Sequence, residues 1–245
     1  MEALVLCGGF AKRLGPLGEF MPKALLTIKG IPLLDYILQS LEGWSDISRI
    51  VISTNMRFAN QFKYWLELRR KAGISKNLEL VVEPSTSNEN KLGAVKGISF
   101  DINAAKIDDD LLIIAGDNFY TFDMHAILGD IVGKGRPCIV AYDIKSVEEA
   151  RRFGVLTLDD ENTIIAFEEK PEAPKSTLVS TGIYFFPKAL LGEFDRYISM
   201  AESSDNIGNF IKWLSAKNRI YAVLPKSGEW FDIGTVESYR GLFNR

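Results

Sequence analysis

The sequence predicts an α/β protein: a mostly parallel, Rossmann-like sheet flanked by helices, with a small mixed β lobe. Three observations carry this. Short apolar runs alternate with stretches of helical spacing over the first 150 residues. Several of those runs end in glycine or aspartate, as buried strands do at a ligand-facing edge. Beyond about residue 150, strand-like runs follow one another with little helix between them, which predicts an antiparallel or mixed excursion on the same sheet.

The elements follow in order. Residues 3–7 form a short apolar run ending in Gly8-Gly9, a buried-strand pattern. Residues 32–41 place apolar side chains at helical spacing behind a proline, which suits the first helical turn. Residues 50–53 read as a second strand, and residues 58–70 as an amphipathic helix with Phe58, Phe62 and Trp65 on one side. A strand at 78–82, a short helix at 92–98 and a buried strand at 111–115 come next. Helix 124–132 and strand 138–141 complete the first part. Strands at 154–158, 163–167 and 179–186 precede helix 206–214, strand 219–223 and a last helix at 236–243. No linker or low-complexity tract interrupts the chain, so residues 1–245 are expected to form one domain with a lobe around 150–230.

Composition removes several classes of function. Lys plus Arg is 29 against 32 Asp plus Glu, a net charge of −3, and the pI is near 5.4. That balance speaks against a duplex nucleic-acid binder. The longest apolar runs are far too short to span a bilayer, and Glu2 with the early Gly8-Gly9 spoils a signal-peptide reading. No membrane partner is expected. Cys7 and Cys138 sit far apart in apolar runs and read as core thiols of a reducing compartment, so a cytoplasmic location is expected. His125 is the single histidine, on what reads as the first turn of a helix. A histidine-rich metal site is impossible, and the chemistry must rest on carboxylates, Lys, Arg and backbone amides.

Ligands of open parallel sheets bind beyond the carboxyl ends of the strands. After the first strand come Gly8, Gly9, Lys12 and Arg13, and Lys23 follows in Met21-Pro22-Lys23. Exposed amides with Arg and Lys can cradle an anion, although a Gly-Gly after a strand is also an ordinary turn. The Gly-Lys-Ser/Thr end of a P-loop and the third glycine of a dinucleotide fingerprint are both missing. Asp117, after strand 111–115, can ligate a hard cation such as Mg²⁺ or serve as a turn residue. Glu168-Glu169-Lys170-Pro171 is a charge cluster just after a strand. Asp232 lies between aromatic and aliphatic neighbours ahead of a helix that Thr235 can cap.

Taken together, five blocks resemble the sugar-1-phosphate nucleotidylyltransferases, the family that includes glucose-1-phosphate thymidylyltransferase. They are LCGGFAKRL, MPKALLTIKGIPLLDYIL, IIAGDN, EEKP with the following STGIYFF, and WFDIGT. The likeness runs from Ala3 to about Leu242. The resemblance implies transfer of a nucleotidyl group from an NTP to a hexose 1-phosphate, with glucose 1-phosphate the expected acceptor and these small-molecule substrates as partners. It implies that Leu6, Gly8 and Gly9 present backbone to the nucleotide, with Glu83 and Gly93 beside the base. Arg13 would neutralise the leaving pyrophosphate and Lys23 the α-phosphate. Asp117 and Asp232 would share a Mg²⁺ ion. Gly154, Glu169 and Lys170 would hold the sugar phosphate, with Thr181 near the sugar. Relatives often assemble, so a homo-oligomer is an expectation of the same kind.

Three departures from the family pattern matter. Ala11 and Lys12 stand where the family's first loop commonly has Gly and Thr, and Ala11 carries a backbone cost if its φ is positive. The base site has Glu83 where thymidylyltransferases often have Gln. The family pattern points to dTTP or UTP, whereas an ionised Glu only accepts hydrogen bonds and suits the amino edges of guanine or cytosine, hence GTP or CTP. Finally, the chain shows no hexapeptide repeat, so a fused β-helix acyltransferase is not expected. Two rival readings remain: a non-catalytic regulatory or binding paralogue of the same fold, and an unrelated nucleotide-binding α/β protein such as a dehydrogenase. The presence of Arg13, Lys23, Asp117, Lys170 and Asp232 weighs against the first, and the missing fingerprint against the second.

Overall fold

The computed structural model describes residues 1–200 and 206–242. In chain order these hold β1 (Glu2–Leu6), α1 (Pro16–Phe20), β2 (Thr27–Ile28), β3 (Ile31–Pro32), α2 (Leu33–Glu42), β4 (Arg49–Asn55), α3 (Ala59–Lys71) and β5 (Asn77–Glu83). Next come α4 (Ala94–Ala104), β6 (Leu111–Ala115), β7 (Asn118–Tyr120), α5 (Met124–Gly133), β8 (Cys138–Asp143), α6 (Val147–Ala150), β9 (Gly154–Leu158) and β10 (Ile164–Glu169). The last are β11 (Leu178–Phe186), α7 (Gly192–Met200), α8 (Ile207–Ser215), β12 (Tyr221–Val223), β13 (Trp230–Asp232) and α9 (Val236–Gly241). The expected fold class holds. The final helix was expected to reach Phe243, which lies outside the described residues.

One sheet of nine strands runs β10-β9-β11-β6-β1-β4-β5, with β8 also on β11 and β12 on β8. The β1–β4, β1–β6 and β4–β5 pairs are parallel, and β11 is antiparallel to β6, β8 and β9. The predicted change of texture after residue 150 is therefore real. Alternation along the strands explains the layering. Ala3 and Val5 of β1, Ile50 and Ile52 of β4 and Leu112 and Ile114 of β6 face one core, with α2, α3 and α5. Leu4, Val51, Leu111 and Ile113 face the other, with α4, α7 and α8.

Phe58, Phe62 and Trp65 are buried and belong to the first core. Trp65 donates to Asp35 Oδ1 at 2.9 Å, and Arg69 lies 3.1 Å from Asp35 Oδ2, which ties α3 to α2. Two helices depart from expectation. Helix α4 continues to Ala104, past the predicted end at 98, because Ile98 and its neighbours pack inward despite the poor helix formers Gly97 and Asp101. Helix α7 was not predicted; Phe194 and Tyr197, three apart, are its buried stripe.

Phe210 of α8 is fully buried and stacks on Phe194 with ring centroids 4.3 Å apart. Phe210→Ala is expected to cost about 3–5 kcal/mol of stability. Chemical denaturation checks this, and a loss below about 1 kcal/mol contradicts the packing.

Candidate functional site

The parallel registers bring chemistry to one edge. Leu6 pairs with Ser53 on one side and Ala115 on the other, and Asn55 pairs with Glu83. The segments that follow β1, β5 and β6 therefore meet. A cavity of about 270 Å³ opens there, lined by Leu6, Gly8, Gly9, Lys23, Glu83 and Gly93 together with Asp117. All the nucleotide-side residues read from the sequence except Arg13 thus converge on one hollow.

The first loop is held from beneath. The Asn55 amide donates to the Gly8 carbonyl at 2.9 Å, while the Asn55 side-chain oxygen accepts from Phe58 N at 3.1 Å. Ala11 sits at φ 52, the left-handed conformation that the missing glycine would have taken without strain. It is buried with Leu14, Leu26, Leu33 and Ile233, so packing offsets the backbone cost. Lys12 turns to solvent and meets Glu89 at 3.3 Å.

Glu83 reaches the cavity through a gap between two backbones. A Cβ placed on Gly8 would lie 3.2 Å from Glu83 Oε1, and one on Gly97 would lie 3.0 Å from it. Ser53 and Ser85 hydroxyls donate to its two oxygens at 3.4 and 3.3 Å. Burial pushes the Glu83 carboxyl above its ordinary range, and the two hydroxyls pull the other way.

A second cavity, of about 200 Å³, adjoins the first and shares Asp117 with it. Arg13, Gly154, Glu169, Lys170, Thr181 and Asp232 line it. Gly154 and Glu169 are direct cross-strand partners on β9 and β10. Lys170 follows at φ 46, its N–H on the Phe153 carbonyl at 3.0 Å and its exposed ammonium 3.3 Å from Glu169. The Thr181 hydroxyl donates to the Val140 carbonyl at 2.7 Å, and the Thr181 carbonyl accepts from Asn118. Thr181 is thus anchored at the wall by both groups.

The two acidic residues are joined by a separate ribbon. Strand β13 lies antiparallel to β7, with Asp232 opposite Asn118, and Ile233 N donates to the Asp117 carbonyl at 2.9 Å. Lys23 Nζ lies 2.8 Å from Asp117 Oδ2. Burial first, and then the charge of Asp117, push the Asp232 carboxyl up to about 6; Lys23, Arg13 and Arg152 pull it down. Two carboxylates placed in this way could hold a hard cation. Among the described residues no group of three or more His, Cys, Asp or Glu side chains converges. Asp117 and Asp232 are the residues that could hold an ion such as Mg²⁺, which takes one or two carboxylates and completes its shell with water and phosphate.

Sequence reasoning passed over Arg152, which lines the second cavity and acts on Asp232. Its place two residues before Gly154, next to Phe153, was the available signal. It also passed over Gly97 and Ser53, whose role is set by neighbours on other strands. His125 is exposed beside the Trp44 ring, with centroids 5.1 Å apart, and lines neither cavity.

A sequence model described as "Nucleotidyl transferase" matches residues 2–245. The chain belongs to the nucleotidyl transferase family. Among curated relatives of this nucleotidyl transferase chain, a "Putative mannose-1-phosphate guanyltransferase" of Sulfolobus acidocaldarius is 34% identical over 239 residues, 98% of this chain and 61% of that protein. A "Glucose-1-phosphate adenylyltransferase" of Fervidobacterium nodosum is 31% identical over 253 residues, 96% of this chain and 59% of that protein. The chain thus spans about six-tenths of the length of these relatives. A crystal structure of a "Putative Glucose-1-Phosphate Thymidylyltransferase" from Bacillus anthracis, in complex with a sucrose, superposes with a TM-score of 0.82. It is 24% identical, and the match covers 100% of this chain and 94% of that one. That likeness establishes the nucleotidyl transferase fold.

The Asp232 shift predicts a pH dependence. Its folded-state value is raised, so the folded chain holds the proton more tightly than the unfolded chain. Its stabilising contribution is present near pH 4 and is lost as pH rises through about 6. Denaturation midpoints between pH 4 and 7 in a chelator should fall more steeply in the wild type than in Asp232→Asn, which keeps the contributions of the other raised carboxyls, Glu83 and Asp101. Equal slopes would remove Asp232 from the charged cluster.

Proposed function

We propose that the chain catalyses nucleotidyl transfer from an NTP to a hexose 1-phosphate, releasing pyrophosphate and an NDP-sugar. One observation carries this: Asp117 lines both of two adjoining cavities, one walled by the Gly8-Gly9 backbone and the other by Gly154, Glu169 and Lys170. The first cavity takes the nucleotide. The second, in the lobe around 150–230, takes the sugar phosphate, with Thr181 near the sugar. Free buried thiols at Cys7 and Cys138 suit the cytoplasm. Among the described residues no helix is long and apolar enough to cross a membrane.

The chemistry brings two anions together, so the largest part of the barrier is charge repulsion. A sugar phosphate is largely ionised at neutral pH and attacks the α-phosphorus without a strong base. Lys23 stands at the junction of the cavities, oriented by Asp117, where it can meet the α-phosphate. Arg13 projects toward the Asp232 side and would neutralise the departing pyrophosphate. Glu169 steadies the Lys170 ammonium, which would hold the acceptor phosphate. Asp117 and Asp232 would hold Mg²⁺, which when bound neutralises phosphate charge and orients the reacting groups. The protein's own part is positioning and preorganised charge.

Glucose 1-phosphate is the proposed acceptor. For the donor, the family pattern favours dTTP or UTP. The Glu83 carboxylate at the wall of the first cavity favours a second reading, GTP or CTP. The curated relatives named above differ in both base and sugar.

A pyrophosphate-release screen of dTTP, UTP, GTP, CTP and ATP against several hexose 1-phosphates with Mg²⁺ tests the reaction. No release with any pair overturns it. Asp117→Ala and Asp232→Ala are each expected to lower release about a hundredfold or more. Wild-type rates in either variant would remove that residue from the metal site. Arg13→Ala is expected to lower kcat by about a hundredfold with little change in the sugar-phosphate KM. A rise in KM at constant kcat would contradict the role given to Arg13.

A further inference from the structure

Arg152 sits in the turn between α6 and β9 and lines the second cavity beside Phe153 and Gly154. Among the described residues, the cations of that lining are Arg13, Arg152 and Lys170. Arg13 is held against the turn that follows Asp232, since a Cβ placed on Gly234 would lie 3.1 Å from Arg13 Nη2. Lys170 carries a point charge 3.3 Å from Glu169. Phe153 joins the other two cations. Its carbonyl accepts from Lys170 N at 3.0 Å, and its ring centroid lies 5.8 Å from the Arg152 guanidinium carbon. The same ring meets Trp230, another wall residue, edge-on at 5.2 Å. One residue thus brings Arg152 and Lys170 to the same wall.

The present partner of Arg152 is a weak competitor. Its Nη1 donates to Glu149 Oε2 at 3.0 Å, one turn back on α6. Both side chains are exposed, and an ion pair in water contributes little. A phosphate offers more. The planar guanidinium matches two phosphate oxygens at once, which a lysine ammonium cannot do. Charge on the lining points the same way. Asp117, Glu169 and Asp232 face Arg13, Arg152 and Lys170, so without Arg152 the acids outnumber the bases. A sugar phosphate, largely dianionic at neutral pH, would then be repelled.

We infer that Arg152 binds the phosphate of the acceptor: its guanidinium leaves Glu149 and grips two oxygens of the sugar 1-phosphate, with Lys170 as the second cation. The inference rests on the sugar-phosphate reading of the second cavity. Arg152 then sets the affinity for the acceptor, and Glu149 competes for the same guanidinium.

The test is binding of glucose 1-phosphate and mannose 1-phosphate to the whole chain, measured by titration calorimetry at neutral pH with Mg²⁺. Arg152→Met keeps an apolar stem against the Phe153 ring and is expected to weaken binding by about tenfold or more. Its affinity for dTTP and GTP is expected to be no weaker than that of the wild type. Arg152→Lys keeps the charge, loses the fork and is expected to stay about threefold or more weaker than the wild type. Glu149→Gln removes the competitor and is expected to tighten binding about twofold. An Arg152 that only supported the wall would leave Arg152→Lys and Glu149→Gln at wild-type affinity. That result overturns the inference. So does unchanged affinity in Arg152→Met, equal weakening of the nucleotides in that variant, or a wild type that binds neither sugar phosphate. Pyrophosphate release is scored separately. Binding of a sugar 1-phosphate that depends on Arg152, without release from any NTP, overturns the proposed reaction and leaves the role of Arg152 standing. Release by Arg152→Met at the wild-type sugar-phosphate KM overturns that role and leaves the reaction standing.

Discussion

Burial first, and then the neighbouring charge of Asp117, push the Asp232 carboxyl up to about 6. That repulsion organises the surroundings. Lys23 reaches Asp117 from the turn ahead of β2, Arg13 reaches the pair from the loop after β1, and Arg152 comes from the turn ahead of β9. A short two-stranded ribbon, β7 with β13, fixes the distance between the acids by backbone bonds. Backbone pairing is the suitable device, because flexible side chains alone would let two like charges drift apart.

The second cavity depends on β11. This nine-residue strand pairs with β6 at one end and with β8 and β9 at the other, and its register on β8 shifts between Ser180 and Tyr184. Gly182 sits in that shift at φ 79, a conformation that a side chain would strain. The bend lets one sheet carry a parallel half and an antiparallel lobe whose cavities meet at Asp117.

Polar groups under the first cavity are handled differently from those at its mouth. Lys12 and Glu89 pair in the open, where an ion pair contributes little. Glu83, Ser53 and Ser85 are enclosed, where each hydroxyl hydrogen has to be allotted to one acceptor. The buried set therefore constrains geometry, and the exposed pair does not.

Periodicity was enough to read the layers. The apolar runs at Leu4, Val51 and Ile113 alternate between two cores, and local spacing carries that information. The cavity-lining residues Gly8, Arg13, Lys23, Asp117, Lys170 and Asp232 could be named because each follows a strand or sits in a short motif. Helix α7, the full length of α4 and the β7–β13 ribbon could not, since tertiary packing overrides weak local preference there. Nor could the pairing of Glu83 with Gly97 and Ser53, whose members come from β5, α4 and β4. Contacts between residues far apart in the chain leave no local periodic trace, and burial, which sets their protonation, exists only once the sheet and helices have closed over them.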